Sequence, residues 1–290
     1  MPAQRRMKTV ALAALALVGF AFNSILCRMA LAPRLVDAAT FTSVRLATGA
    51  VALVLLASLS GSRGRDVARA GSFRAAFALF AYAALFSFAY LRLKTATGAL
   101  LLFGAVQATM IGWGLAKGER LRAREWTGVA VALAGLVALL LPGLSAPDPL
   151  GALSMALAGA AWGVYSLLGR AAKSPPLPTT AGNFVLSLAL AAPLALAALL
   201  ARSAHATPRG LLLATASGAL ASGVGYTLWY AALPGLTATH AAVVQLAAPV
   251  LAAAGGALLV GEPLTLRLVL FGAAILGGIA LVVLRRTTPR

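Results

Sequence analysis

Apolar runs of about 20 residues, separated by short polar or charged segments, follow one another along the whole chain. A run of this length spans the hydrocarbon core of a bilayer when it is wound as an α-helix. The pattern predicts ten transmembrane helices, at residues 8–29, 38–59, 73–91, 95–116, 124–142, 150–170, 179–201, 209–232, 237–260 and 265–284. The connections are too short for a soluble domain, so we expect an all-α integral membrane protein.

The second half of the chain repeats motifs of the first. An aromatic residue, a serine, an aliphatic pair, an arginine and an alanine fall at the same offsets in residues 20–30 and 162–172, which start 142 residues apart. Two further motifs return at nearly the same spacing, 95–97 at 237–239 and 118–119 at 261–262. Duplication on this scale in an apolar chain predicts a transporter built from two repeats.

The predicted repeats are residues 1–142 and 150–290, with five helices each. Because five is an odd number, the second repeat must cross the membrane in the opposite sense to the first. We therefore expect inverted repeats, related by a pseudo-two-fold axis that lies in the membrane plane.

Composition and charge agree with a membrane protein. Hydrophobic residues make up 61% of the chain and charged residues 10%, against about 45–50% and 25% in soluble domains. The net charge of +18 comes from short basic clusters between the apolar runs. This distribution is typical of topology signals and excludes nucleic acid as a partner, which leaves the lipid bilayer as the surroundings of the chain.

The positions of lysine and arginine predict the orientation. With the start of the chain in the cytoplasm, sixteen basic residues lie at cytoplasmic helix ends and seven at outer ends. We expect a multi-pass protein of the inner membrane with both termini in the cytoplasm. The basic start followed by an apolar stretch resembles a secretory signal, but the same region recurs in the second repeat, so we expect it to remain as the first helix.

The ten helices in two halves, the Gly-Glu pair that follows the fourth and ninth helices, and Arg45 in the second helix resemble the EamA-type members of the drug/metabolite transporter superfamily. Within this family the chain is most similar to the YddG-type exporters of aromatic and other amino acids. The resemblance covers essentially the whole chain. It implies that the protein exports small metabolites, amino acids among them, from the cytoplasm.

Polar and aromatic side chains inside the helices are candidates for a substrate cavity, because an unpaired polar group in lipid is costly. The candidates are Asn23, Ser24, Tyr82, Phe86, Tyr90, Gln107, Trp162, Tyr165, Tyr226, Trp229, His240 and Gln245. An aromatic wall would hold a flat apolar side chain or an ammonium group. We expect the cavity to be lined by helices 1, 3, 4, 6, 8 and 9.

Each kind of candidate has a simpler explanation. The polar pairs of the first and sixth helices also suit hydrogen bonding between helices. Tyr90 and Tyr230 also suit an interfacial aromatic belt, and His240 suits a buried neutral histidine. Pro249 has no amide hydrogen, so it frees the carbonyl of Gln245 and predicts a break in the ninth helix.

Arg45 is the one basic residue deep inside a predicted helix. One interpretation is a counter-charge for a substrate carboxylate. The other is snorkelling to the interface, or structural pairing with carbonyl groups. Its counterpart in the second repeat is Ser187, so either role would belong to one repeat only.

The acidic residues indicate how transport is driven. All six lie at or near predicted helix ends, at Asp37, Asp66, Glu119, Glu125, Asp148 and Glu262. Coupled carriers often keep a carboxylate at the midplane, so an uncoupled carrier is the simplest mechanism. The alternatives are export of other small metabolites or drugs, proton coupling through His240 or Glu262, and a passive channel.

The same scattered residues give no reason to expect an enzyme. A membrane enzyme would need a cluster of His, Asp or Glu at one face, and a cysteine-based zinc site is excluded by a single cysteine, Cys27. The two histidines, His205 and His240, have no carboxylates near them in sequence. We therefore predict no metal, no cofactor and no catalytic activity.

Overall fold

The computed structural model describes residues 3–93, 95–141, 147–260 and 265–283, with side chains except at 3, 95, 96 and 256–260. The helices of the first half are α1 (Ala3–Leu31), α2 (Ala38–Leu59), α3 (Gly64–Ala70), α4 (Phe73–Ala89), α5 (Thr95–Ala116) and α6 (Ala123–Leu140). Those of the second half are α7 (Pro149–Ala171), α8 (Pro176–Leu200), α9 (Pro208–Ala216), α10 (Gly225–Ala232), α11 (Ala238–Val244), α12 (Ala247–Val260) and α13 (Leu266–Val283).

The described ranges confirm an all-α membrane protein. Nine helical segments within them are long and apolar enough to cross a bilayer. The tenth is α4, which has 17 residues and follows the short helix α3 at a bend of 79°. The described residues therefore hold nine candidate spans, or the predicted ten when the bent pair of α3 and α4 counts as one.

Two spans are interrupted. A π-helical segment, Ser217–Val224, joins α9 to α10, so the eighth span winds more loosely at mid-length. The ninth span breaks between α11 and α12 at Gln245, where the Gln245 carbonyl accepts a hydrogen bond from the Ala248 amide at 3.0 Å. The sequence predicts this second break from Pro249, whereas nothing in it predicts the π-helical segment.

The two halves pack against each other. The contacting pairs include α6 with α13, α2 with α8, α5 with α11, α4 with α7, α1 with α10, α5 with α7 and α1 with α12. Exchanging the two predicted repeats maps these seven pairs onto one another. The helices approach closely at small residues: a Cβ on Gly278 would lie 2.6 Å from the Gly128 carbonyl oxygen.

Loops meet at two opposite ends of the bundle. At one, which we call the Asp37 end, the connections α1–α2 and α8–α9 pair through Asp37, whose carboxylate accepts hydrogen bonds from the amides of Ala39, Thr40 and His205 at 2.8 to 3.0 Å. Partial burial raises the pKa of Asp37, but these hydrogen bonds outweigh it and hold the pKa below its usual range. The opposite end, where α5 turns into α6, is called the Glu119 end.

Candidate functional site

A narrow central cavity lies where the two halves meet. Its walls come from α1, α4, α5, α7, α10 and the break after α11, and the lining residues are Phe20, Asn23, Ser24, Tyr82, Phe86, Leu102, Phe103, Val106, Trp162, Tyr226 and Gln245. These helices are spans 1, 3, 4, 6, 8 and 9, as expected from the sequence. The cavity encloses about 30 Å³, which is space for little more than a water molecule, so a larger molecule requires its walls to move apart.

Trp162 is the centre of the aromatic wall. Its ring centroid lies 4.7 Å from that of Tyr226, 4.9 Å from that of Tyr82 and 5.2 Å from that of Phe20. Its indole nitrogen donates to the Gln245 side-chain oxygen at 2.5 Å. Phe20 and Tyr82 from the first half thus face Trp162 and Tyr226 from the second in the edge-on and tilted geometries that aromatic pairs prefer.

Four lining residues are missing from the candidates named by the sequence, the aliphatic Leu102 and Val106 and two phenylalanines that the repeat could have identified. Phe20 is the repeat counterpart of Trp162, and Phe103 is 142 residues before Gln245. Each pair meets across the cavity. Comparing counterpart positions, instead of searching each helix for polar groups, therefore finds both phenylalanines.

Other candidates lie behind this wall. Tyr165 and Trp229 are fully buried and contact the lining rings Trp162 and Phe20, respectively. Gln107 is also buried, and its side-chain nitrogen donates to the Ala242 carbonyl at 2.7 Å. These three side chains support the cavity and do not line it.

Tyr90 and His240 lie away from the central cavity, in opposite directions. Tyr90 lines a second cavity near the Asp37 end. His240 lies at the Glu119 end, where its Nε2 is 3.7 Å from a carboxylate oxygen of Glu125 on α6. Glu125 is remote in sequence, so the acidic neighbour of His240 is visible only in the fold. Glu262 lies outside the described residues.

The second cavity extends from the centre to the Asp37 end. It encloses about 350 Å³ and is lined by Ser24, Cys27, Arg28, Leu31, Ala32, Tyr90 and Leu93. Ser24 lines both cavities, so the two adjoin at this residue, and together we call them the path. Ser24 and Ala32 are exposed, so the path is accessible from the protein surface on its Asp37 side.

Towards the Glu119 end the path is closed by contacts between α7 and α10. The Trp229 indole donates to the Ser166 hydroxyl at 3.0 Å, and the Tyr230 hydroxyl donates to the Tyr165 carbonyl at 3.0 Å. The rings of Tyr165 and Tyr230 are 4.8 Å apart, and Gly169 lies directly against the Tyr230 ring. Because Gly169 has no side chain, the ring closes tightly onto the helix backbone.

Positions that correspond in the two predicted repeats therefore differ in their surroundings. In α1, Ser24, Cys27 and Arg28 line the open path. In α7, Ser166 and Gly169 correspond to Ser24 and Cys27, and both are buried in the contact between α7 and α10. The same motif is open in one half and closed in the other.

A group of polar contacts, which we call the clasp, fastens the closed end. The Glu119 carboxylate accepts hydrogen bonds from the amides of Ala238 and Thr239 at 2.8 and 3.1 Å, and from the Thr239 hydroxyl at 2.9 Å. Arg170 lies 3.8 Å from the same carboxylate and donates to the Leu236 carbonyl at 2.8 Å. The clasp joins the end of α5 to α7 and to the start of α11.

The clasp is charged at neutral pH. Partial burial raises the pKa of Glu119, but the hydrogen bonds from α11 and the nearby Arg170 outweigh it and keep the pKa below its usual range. The contribution of Glu119 to stability is therefore present above the usual carboxyl pKa, and it is lost as the pH falls through the lowered value.

Relatives of the chain include proteins described as transporters. A Pseudomonas aeruginosa protein, described only as uncharacterized, is 53% identical over 283 residues, which cover 96% of both chains. The uncharacterized transporter YwfM of Bacillus subtilis is 31% identical over 242 residues, or 81% of both chains. An uncharacterized transporter of Archaeoglobus fulgidus is 31% identical over 167 residues, which cover 55% of this chain and 57% of the relative.

Family and structure comparisons agree with these relatives. A crystal structure of a protein that is 21% identical to this chain superposes with a TM-score of 0.80, and the match covers 96% of this chain and 98% of the other, so the two share a fold. The EamA-like transporter family matches residues 149–284, the second predicted repeat. With a transporter relative along four-fifths of its length and this family match, the chain belongs to the EamA-like transporters of the drug/metabolite transporter superfamily, which carry small molecules across membranes.

Proposed function

We propose that this transporter exports amino acids from the cytoplasm, with aromatic and other apolar ones favoured, by alternating access between two inverted repeats. The main support is the aromatic cavity between the halves, which is connected to one membrane end and closed from the other. If both termini are cytoplasmic, the open Asp37 end is external, and the structure corresponds to an outward-open conformation with a contracted centre.

The inward-open conformation would form if each repeat adopted the conformation that the other repeat has here. The contacts made by Ser166 and Gly169 in α7 would open, and the equivalent positions in α1 would close onto α4. An inverted repeat gives the two states similar geometry, because each half can adopt the conformation that the other holds here.

Export of cationic drugs is the main alternative, and Arg45 counts against it. This arginine is fully buried and contacts both Tyr82 and Tyr226 of the cavity wall. A fixed positive charge next to the cavity repels a cation in a medium of low dielectric constant. Neutral metabolites and zwitterions are less affected.

The substrate class can be tested with purified protein in liposomes. A panel of labelled amino acids is placed outside, with unlabelled compound inside, and exchange is followed with time. We expect saturable exchange and counterflow of phenylalanine, tyrosine and leucine. No exchange of any amino acid would contradict the proposal, and flux without saturation or counterflow would indicate a channel.

The driving force gives a separate prediction. We expect no accumulation of amino acid in response to a pH gradient, because the described spans hold no midplane carboxylate. The measurement includes His240→Ala, since histidine is a side chain that often carries protons in proteins and His240 faces Glu125. Accumulation that is driven by pH in the parent and abolished in His240→Ala would assign the proton to His240 and refute the uncoupled mechanism.

Orientation is tested by cysteine labelling in whole cells. In a Cys27→Ala background, a cysteine at Ser203 in the α8–α9 connection should react with an impermeant thiol reagent added outside. A cysteine at Ser62, in the α2–α3 connection, should react only after the cells are opened. Labelling of residue 62 in intact cells would reverse the proposed topology.

A further inference from the structure

Arg45 is a buried charge without an acidic partner in the described part of the chain. Its side chain is fully buried; Nε donates to the Ser222 hydroxyl at 2.8 Å and one terminal nitrogen donates to the Tyr226 hydroxyl. The other terminal nitrogen has no hydrogen-bond partner. The described ion pairs of the chain all lie at helix ends, and none of them includes Arg45. The described partners of this guanidinium are the neutral side chains of Ser222, Tyr226 and Tyr82.

Two neighbours of Arg45 that line the cavity carry hydrogen-bond donors. The Asn23 side-chain oxygen accepts from the hydroxyls of Ser217 and Ser222 at 2.7 and 3.4 Å, so the amide N–H₂ is the group that Asn23 offers to another partner. The Tyr226 hydroxyl accepts from Arg45, so its own proton can go to another acceptor, for which a ligand would compete with the neighbouring Tyr82 hydroxyl. Asn23 and Tyr226 both line the central cavity.

This arrangement has the chemistry of an anion site. Two neutral residues with hydrogen-bond donors line the cavity, and a guanidinium is bonded to one of them. A buried charge is costly in a membrane protein unless it is paired. An anion that enters the cavity would offset this cost, whereas a cation or a neutral acceptor would leave it in place.

We infer that the central cavity requires an anionic group on its ligand, and that Asn23 and Tyr226 bind a carboxylate in front of Arg45. The apolar part of the ligand would lie among the rings of Phe20 and Trp162. An amino group is then not required, so the ligands include apolar carboxylates such as 3-phenylpropanoate. The inference rests on the proposed function for transport, but it makes a claim about binding that can be tested separately.

The test on unmodified protein compares four ligands of one size. Phenylalanine, 3-phenylpropanoate, phenylalaninamide and phenethylamine are titrated into purified protein, and the shift of its thermal unfolding gives their affinities. We expect the two carboxylates to bind about tenfold or more tightly than the amide and the amine, since hydrogen bonds to a charged group are the stronger ones. Equal binding of phenylalanine and its amide, or no binding of either carboxylate, would overturn the inference.

The same four ligands in liposomes separate this inference from the proposed function. Carboxylates that bind without exchange of any amino acid would refute amino acid export and retain the anion site. Exchange of phenylalanine and phenylalaninamide at the same rate would support transport and refute the anion site.

Variants locate the site at the residues named. Tyr226→Phe removes the donor hydroxyl and keeps the ring, and we expect it to weaken phenylalanine binding about tenfold while binding of the amide is unchanged. Arg45→Lys retains the charge and should keep more carboxylate selectivity than Arg45→Gln. Ser187→Ala, at the counterpart of Arg45, is the matched control. An equal loss of acid and amide binding in Tyr226→Phe would show that its hydroxyl is structural, contrary to the inference.

Discussion

Replacing Trp162 with alanine should reduce exchange of aromatic amino acids at least several-fold, mainly through a higher KM. The indole contacts the rings of Phe20, Tyr82 and Tyr226 within 5.2 Å and donates to Gln245. A ring contact is worth about 0.5–1.5 kcal/mol beyond its buried area. Loss of one such contact to the substrate alone changes affinity roughly two- to tenfold.

Two further variants separate substrate contact from packing. Trp162→Phe keeps a ring but loses the hydrogen bond to Gln245, so it should retain more activity than Trp162→Ala. Trp126→Ala removes a half-exposed indole on α6 and should leave exchange unchanged. The assignment is wrong if Trp162→Ala is present in the membrane at the parental level and exchanges phenylalanine with the parental KM.

The spans and their order could be predicted from the sequence because both depend on local properties of the chain. Apolar length determines which segments cross the bilayer, and Pro249 acts within one turn of the break at Gln245. The eighth span differs. Its π-helical segment, Ser217–Val224, depends on contacts with other helices: a Cβ on Gly218 would clash with the Arg45 carbonyl oxygen of α2, and Ser217 and Ser222 bond to Asn23 of α1.

The site could be predicted only in part, because some of its features depend on local sequence and others on contacts between distant helices. Aromatic residues on the inner faces of α4, α7 and α10 meet in the cavity, since an amphipathic pattern survives packing. Which polar groups reach the cavity is decided by partners distant in sequence. Gln107 is held by the Ala242 carbonyl and His240 lies near Glu125, so neither lines it, whereas Gln245 does.

The environment of Arg45 also depends on the fold. The sequence shows a basic residue about two turns from the end of a helix, which suits snorkelling as well as a substrate contact. Full burial and bonds to Ser222 and Tyr226, 177 and 181 residues away in the chain, exclude snorkelling. The remaining choice between structure and ligand recognition is a matter for the Tyr226→Phe comparison.

Replacing Glu119 with glutamine should destabilise the closed Glu119 end. The fraction of molecules that are open at the Asp37 end should therefore fall. The carboxylate accepts three hydrogen bonds from α11 and lies near Arg170. The amide has one accepting oxygen and no charge, so it cannot hold both backbone amides in the same way. Loss of a charge-assisted hydrogen bond costs about 1.5–3 kcal/mol, which changes a two-state ratio roughly tenfold or more.

The change can be measured with a cysteine at Ser24, an exposed position on the open path, in a Cys27→Ala background. We expect a small thiol reagent to modify this cysteine several-fold more slowly when Glu119→Gln is added. Asp66→Asn is the control, because Asp66 accepts from the Arg63 amide within its own helix end and joins no second span. Since the pKa of Glu119 is lowered, the parental labelling rate, divided by that of a free thiol at the same pH, should not fall between pH 7 and pH 5; the division is needed because only the thiolate reacts. Equal labelling rates in the parent and Glu119→Gln would show that the contacts between α7 and α10, rather than the clasp, keep this end closed.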